Sequence, residues 1–245
     1  MNDRMHTVHR NKIIRSTVWI AAEIFSVSTA VILLPGGFNE GLLLALATPF
    51  LLLLPKAAEK LLHCRLRLPL YLFSLFYTLG PLLGQCWKLY YFTNWWDKLL
   101  HVSAGILFAL VGWVLYRQLS GTQTNRIAFA LFSLCFSVSL AAVWEFFEFA
   151  ADQLFYMDMQ NDTIVYSFPS YFLGNAPGIL GGIDSVEQVF IDGVPLPFSG
   201  YLDIGLHDTM WDMILESLGA LLTAAFCFFT KGRYLGMMDK ADRLL

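Results

Sequence analysis

Three clusters of ionisable residues stand at the ends of three long apolar segments of the chain. Within each cluster the members are adjacent or three to four positions apart, which is helical spacing. Carboxylates and imidazoles are side chains that bind divalent metal ions or carry protons in proteins. The clusters are Asp97 with His101, then Glu145, Glu148 and Asp152, and then His207, Asp208 and Asp212.

The first and third clusters each open an apolar segment. Asp97 precedes His101 by four residues, so a helix would carry both side chains on one face. Asp208 and Asp212 repeat this spacing, and Glu216 continues the same face inward. Asp97 and Asp208 could also cap their helices, because carboxylates are favoured at helix N-termini. Asp212 and Glu216 come too late for capping, which favours a functional role.

The second cluster closes an apolar segment. Glu145, Glu148 and Asp152 form one acidic stripe along a predicted helix. Like charges at this spacing repel each other, and negative charge near a helix C-terminus opposes the helix dipole. Basic residues are scarce beside this cluster, so we expect a bound cation or a shared proton to offset the repulsion.

The composition indicates a membrane protein. Of the 245 residues, 57% are hydrophobic and 14% are charged, whereas soluble domains have about 25% charged residues. The apolar residues come in long blocks rather than short alternations, which predicts an all-α bundle of membrane-spanning helices. The four cysteines form no CxxC pair, so we expect thiols that face the membrane or are packed in the protein.

Six apolar segments are long enough to cross a bilayer, which takes about 20 residues. They predict a single six-span membrane domain over residues 1–245, with a long outside loop at residues 151–206 between the last two spans. The predicted spans are residues 14–34, 38–55, 69–92, 98–116, 127–149 and 209–230.

Lysine and arginine residues set the predicted orientation, because cytoplasmic loops carry an excess of them. They concentrate in the N-terminal segment, in the loops after the second and fourth spans, and in the C-terminal segment with Lys231, Arg233, Lys240 and Arg243. Residues 151–206 contain none. Both termini are therefore predicted to be cytoplasmic, and the three ionisable clusters then share the outer leaflet.

The long loop is predicted to fold rather than to hang free. It contains many aromatic residues and a Gly- and Pro-rich centre. The run Val186–Ile191 followed by Asp192 and Gly193 indicates a short hairpin. We expect the loop to close over the outer mouth of the site as a lid, with an irregular surface connection as the alternative.

Because the fourth and sixth spans enter from outside and the fifth exits there, the clusters are predicted to form one site. A carboxylate-rich set with an imidazole suits Mg²⁺, Mn²⁺ or Ca²⁺, or Zn²⁺ if the imidazole binds. Catalytic roles are predicted for Glu145, Glu148 and Asp212. The predicted ligands of the metal are Asp97, His101, Glu145, Glu148, Asp208 and Asp212.

The second half of the chain, from Trp95 to Leu222, resembles a known family. The motifs WWDKLLHVSAGIL, WEFFEF and DTMWDMILESLGALL resemble those of the YjdF-type family of uncharacterised bacterial inner-membrane proteins, and more distantly those of VanZ-like proteins. The resemblance implies an inner-membrane location but supplies no activity. Its family positions would be Asp97, Lys98, His101, Glu145, Glu148, Asp208, Asp212 and Gly219.

Three functions fit these residues. The first is a metal-assisted enzyme that acts on a lipid or cell-envelope intermediate, with a glutamate as general base; the motifs GxSxG and HExxH are absent. The second is a proton- or cation-coupled transporter. The third is a non-catalytic scaffold or sensor. The expected partners are the bilayer and this substrate, without nucleic acid, and the oligomeric state is not indicated.

Overall fold

The computed structural model describes residues 2–61, 63, 65–93, 95–120 and 125–230, with side chains from residue 6 onwards. Cys64 and the basic C-terminal residues used to predict orientation lie outside these described residues. The chain divides into two compact units. We call Met1–Ala141 together with Ile214–Leu245 the helical unit, and Ala142–Met213 the loop unit.

Helices dominate the described part of the chain. Five helical stretches are long and apolar enough to cross a membrane: His6–Gly36, Glu40–Leu61, Trp96–Leu119, Arg126–Phe155 and Leu206–Thr230. They coincide with the first, second, fourth, fifth and sixth predicted spans. The α-helices are α1 (Asn2–Leu33), α2 (Glu40–Leu51), α3 (Leu54–Leu61), α4 (Leu68–Cys86), α5 (Leu89–Phe92), α6 (Trp96–Leu119), α7 (Arg126–Phe155) and α8 (Leu206–Thr230).

The predicted third span is not one helix. The α4 helix has 19 residues and ends at Cys86, and Lys88 then adopts a left-handed conformation with φ of 65° before α5 begins. The α4 helix is not among the five stretches that are long and apolar enough to cross a membrane. The third predicted span, and with it the total of six, therefore stays a prediction.

The helices α1, α2 and α4 pack together in the helical unit. One core joins Ala22, Leu52, Tyr71 and Leu75, and a second joins Ala30, Leu42, Ala45 and Leu82. Arg15 pairs with Glu59 at 2.5 Å and also donates to the carbonyl oxygen of Leu66 at 2.7 Å. This ion pair ties α1 to α3 and to the start of α4.

Within the helical unit, α6 contacts both α7 and α8. The Ser137 hydroxyl of α7 donates to the Gly105 carbonyl oxygen at 3.2 Å, and the Ser133 hydroxyl donates to that of Ala109. These two bonds set an antiparallel register between α6 and α7. At the other end of α6, Trp113 packs against Phe129 with 4.6 Å between ring centroids.

The loop unit contains short strands. The chain is therefore mostly helical, whereas the sequence predicted an all-α bundle. Three two-stranded antiparallel ladders form. They pair Thr163–Val165 with Tyr201–Asp203, Phe168–Ser170 with Gly181–Ile183, and Phe190–Ile191 with Val194–Pro195. The predicted hairpin at Asp192 and Gly193 is confirmed, with φ of 50° and 80° at its turn. The strands are β1 (Thr163–Val165), β2 (Phe168–Ser170), β3 (Gly181–Ile183), β4 (Phe190–Ile191), β5 (Val194–Pro195) and β6 (Tyr201–Asp203).

Candidate functional site

The first ionisable cluster lies in the first turns of α6. Asp97 is in the first turn, where the positive end of the helix dipole favours a carboxylate. His101 follows one turn later and is buried, and its Nε2 atom lies 3.6 Å from Oδ1 of Asp97. The predicted pairing of these side chains on one helix face is therefore confirmed.

A buried tryptophan fixes the start of α6 against α4. The indole Nε1 of Trp96 donates to the carbonyl oxygen of Gly80 at 3.1 Å. Its ring meets Phe76 edge-on, with 5.9 Å between centroids. Because Trp96 directly precedes Asp97, these contacts hold the carboxylate and the imidazole on a rigid part of the helix.

The α6 and α8 backbones touch one turn after His101. A Cβ atom on Gly105 would overlap the carbonyl oxygen of Glu216, and one on Gly219 would overlap that of Val102. Small residues permit such close approach between apolar helices. Glu216 stands at this crossing with 2% of its surface exposed, so a carboxylate is enclosed where the two helices meet.

In the loop unit, the second cluster lies on a buried face of α7. Glu145 and Glu148 are buried, whereas Phe146 and Phe147 between them are exposed. The indole Nε1 of Trp144 donates to Oε1 of Glu148 at 2.7 Å, which holds this carboxylate in place. The predicted acidic stripe is thus a buried pair rather than a solvated helix end.

Asp152 and Asp208 bind the start of the loop. Asp152 accepts hydrogen bonds from the backbone N–H groups of Met159 and Gln160, at 2.7 Å and 2.9 Å. Asp208 accepts from the backbone and side-chain amides of Asn161, at 2.9 Å and 3.1 Å. We call this arrangement the loop clasp. In the structure, Oδ2 of Asp208 holds the loop, and the predicted role of Asp208 as a metal ligand stays a prediction.

Asp158 lies in the turn held by the loop clasp. Its partial removal from water raises the pKa of its carboxyl group, and the nearby carboxylates of Asp162, Asp152 and Asp208 raise that pKa further. Four carboxylates therefore gather here, in a segment whose residues 151–206 contain no lysine or arginine. The turn is therefore more readily protonated than an isolated aspartate.

Asp212 is almost completely buried, with 1% of its surface exposed. Asp97, His101 and Asp212 present two carboxylates and one imidazole, a donor set that could bind a metal ion. These are three of the six predicted ligands; Glu145, Glu148 and Asp208 do not belong to this set. Catalytic roles for Glu145, Glu148 and Asp212 stay a prediction.

The sequence patterns did not indicate every residue around these groups. The loop clasp joins Asp208 to Asn161 across 47 positions, which no local pattern reveals. The only sequence signal for the burial of Glu216 was its position one helical turn after Asp212. The Gly105 contact had a weak signal, because a glycine within an apolar helix often marks a close helix crossing.

One protein family matches the chain over residues 16–233, and its description is "Predicted membrane protein (DUF2238)". No curated protein and no solved structure is significantly similar to the chain. The likeness to the YjdF-type and VanZ-like families stays a prediction. Because the matched region covers most of the sequence, the chain belongs to the DUF2238 family of predicted membrane proteins.

Proposed function

We propose that the protein is a metal-assisted enzyme of the bacterial inner membrane that acts on a lipid or cell-envelope intermediate. The observation that carries the proposal is the set of buried ionisable groups in α6, α7 and α8. Charged groups are costly in an apolar environment unless they are paired or coordinate a metal. Five such groups are buried: His101, Glu145, Glu148, Asp212 and Glu216.

The chemistry of the donor set fits a divalent metal. Asp97, His101 and Asp212 offer carboxylate and imidazole donors, which suit Mn²⁺ or Zn²⁺ and, through the carboxylates, Mg²⁺ or Ca²⁺. The ion, when bound, would activate a water molecule or polarise a substrate oxygen. The Trp96 contacts with α4 would keep Asp97 in place.

Helical spacing relates two of the buried carboxylates to helix faces that make close contacts. Asp212 precedes Glu216 by four residues in α8, so it continues the face that contacts Gly105. Glu148 follows Ser137 by eleven residues in α7, which is close to three helical turns. Ser137 bonds to the Gly105 carbonyl oxygen of α6, and Glu148 follows Ser137 on the same face of α7.

Glu145 and Glu148 would supply the proton transfer. Both are buried carboxylates, and a positioned carboxylate can accept a proton and return it during a reaction. The Trp144 bond fixes the Glu148 carboxylate in place. Neither group needs to leave its helix for this role.

A transporter is less well supported. The acidic series of α8 ends at Glu216, and residues 217–230 contain no Asp, Glu, His, Lys or Arg. The same is true of residues 102–116 in α6 and 127–144 in α7. A proton or cation path through these helices would lack ionisable relays over most of their length. A scaffold would bind metal without catalysing a reaction. Measuring metal binding and lipid turnover separately distinguishes it from an enzyme.

Metal analysis tests the site. The full chain is purified in lipid nanodiscs without added metal, equilibrated in turn with Mg²⁺, Mn²⁺, Ca²⁺ or Zn²⁺, washed, and analysed by mass spectrometry. We expect about one retained ion per chain of the preferred metal, from one three-donor set. His101→Gln and Asp212→Asn should lose it, whereas Asp184→Asn, a loop control, should keep it. Retention by all variants would contradict the site.

Lipid turnover tests the enzyme. The metal-loaded protein is incubated with a bacterial membrane lipid extract, and the lipids are compared by mass spectrometry with those left by Glu145→Gln. A lipid consumed by the wild type alone supports the enzyme. If the wild type binds metal but changes no lipid or envelope intermediate, the scaffold is favoured instead.

Cysteine labelling tests the proposed orientation. Both termini are proposed to be cytoplasmic, with the loop unit outside. A cysteine placed after Arg67 should react only when the reagent enters the cytoplasm. One at Gly178 should react in intact cells. Labelling of Gly178 only from the cytoplasmic side would reverse the orientation and move the chemistry to the inner leaflet.

A further inference from the structure

The β2–β3 hairpin of the loop unit presents an uncharged apolar tip. We define the hairpin tip as residues 171–180, between the paired strands β2 and β3. Phe172 is 101% exposed at the centre of the tip, and Tyr171, Ile179 and Leu180 are exposed beside it. No charged residue occurs in residues 163–183, whereas Asp162 and Asp184 stand just outside this range.

The tip is a closed structure rather than a loose loop. Its backbone groups bond to one another, from Gly174 N to the Tyr171 oxygen at 3.3 Å and from Ile179 N to the Ala176 oxygen at 3.0 Å. The Ser170 hydroxyl accepts from the Phe172 N–H at 3.1 Å. A Cβ on Gly174 would overlap the Ile179 oxygen, so the turn closes too tightly for a larger residue.

We propose that the β2–β3 hairpin inserts its tip into the interfacial layer of the lipid bilayer, on whichever side the loop unit lies. Aromatic rings favour this layer, where a polar hydroxyl such as that of Tyr171 can remain hydrated. The internal backbone bonds remove a main cost of leaving water. Exposed apolar surface of this kind marks a contact with membrane or protein.

Two features favour lipid over a protein partner. The chain leaves the loop unit through α7 and α8, which are apolar helices long enough to cross a membrane. The first residue of β2 follows Phe155, the last residue of α7, by only 13 positions. The hairpin is therefore close enough to reach the bilayer, which it meets at high effective concentration. A charge-free tip also offers no ion pairs with which to select a protein partner.

The second hairpin of the loop unit provides a matched comparison. The β4–β5 hairpin also exposes apolar side chains, including Phe190 and Val194. However, its turn contains Asp192, and Glu187 lies three residues before β4. Burying these carboxylates in the bilayer would be costly, so this hairpin should stay in water. The proposal therefore predicts different surroundings for two exposed hairpins of one loop.

The experiment places the environment-sensitive fluorophore NBD on single cysteines at positions 172, 179 and 194 of the full chain. The native cysteines are replaced by alanine, and the protein is studied in nanodiscs of zwitterionic lipid. Lipids with a shallow nitroxide should quench the probe at 172 and at 179 by roughly half, with a blue-shifted emission, because the tip lies in the interface. The probe at 194 should be quenched much less.

The probe at position 194 is the control for the fluorophore. If NBD itself bound lipid, the probes on both hairpins would be quenched. Equal quenching at 172 and 194, or water-like emission at 172 and 179, would overturn the proposal. A blue-shifted but unquenched probe at 172 would also overturn it, and would show that a protein surface covers the tip. Cross-linking would then show whether that surface is a second copy. The result does not depend on whether metal binds.

Discussion

Two sets of helices in this chain bury different kinds of polar group. Among the described residues of α1, α2 and α4, the buried polar side chains are hydroxyls: Ser26, Thr29, Thr48 and Ser74. Each donates to a backbone carbonyl at 2.8–3.1 Å. In α6, α7 and α8 the buried polar side chains also include four carboxylates and an imidazole.

The difference follows from what a helix backbone can offer. Inside a helix the carbonyl oxygens can accept a second hydrogen bond, so a hydroxyl can bond to its own helix. The N–H groups, in contrast, are already used by the helical ladder. A carboxylate in mid-helix therefore needs a donor, a proton or a cation from outside the backbone. A buried hydroxyl can therefore be satisfied by helix backbone, whereas a buried carboxylate depends on other groups, as Glu148 does on the indole of Trp144.

The largest expected effect comes from removing charge in the second set of helices, α6, α7 and α8. Glu145→Gln and Asp212→Asn should abolish function while insertion is normal or improved, because a charged residue costs about 2.5 to 3.5 kcal/mol on insertion scales. Ser74→Ala and Thr48→Ala are the matched controls and should keep function. Complementation of a deletion strain, with the amount of membrane-inserted protein measured in parallel, checks both. Full complementation by both acid variants would mean that the carboxylates serve packing too.

The sequence predicted this second set better than the rest of the fold. Long apolar runs specify α6, α7 and α8 locally, and carboxylates at spacings of three and four define their buried faces. The break at Lys88 was not predicted, because a residue other than glycine rarely adopts the positive φ found there. The loop clasp was also missed, since the partners of Asp152 and Asp208 follow from the folded loop.

Close packing of α6 against α8 should matter next most. Gly105→Ala and Gly219→Ala would each press a methyl group into a backbone carbonyl of the facing helix. We expect a loss of about 1–3 kcal/mol in stability from the resulting overpacking. Thermal unfolding in detergent measures the change.

Gly41→Ala is the control in the first set of helices. Its added Cβ would lie 3.4 Å from the nearest atom, an ordinary contact, and alanine favours the helix more than glycine does. The melting temperature should therefore be unchanged or slightly higher. Equal melting temperatures for all three variants would show that the α6–α8 crossing relaxes easily and does not position Glu216.

The loop clasp should have a smaller, local effect. Asp152→Ala would leave the Met159 and Gln160 N–H groups without their acceptor, at a cost of about 1–3 kcal/mol. Limited proteolysis should then cut faster between Asp158 and Leu196, while the helices resist. Asp184→Ala, which removes a charge from the same loop, should be cut as slowly as the wild type. Equally slow cutting of both variants would show that the strand ladders alone order the loop.

The smallest expected effect comes from Asp158. Partial burial and then the carboxylates of Asp162, Asp152 and Asp208 raise its pKa above the ordinary 3.8, so the folded loop holds a proton that the unfolded loop releases. The protonated carboxyl group therefore favours folding below pH 3.8, and this benefit is lost as pH rises through the raised pKa. Asp158→Asn removes the repulsion, so proteolysis at pH 7 should be slower than in the wild type and equal to it near pH 3, using an acid-active protease there. Faster cutting of the variant at pH 7 would show that ionised Asp158 stabilises the turn, as a ligand of a bound cation would.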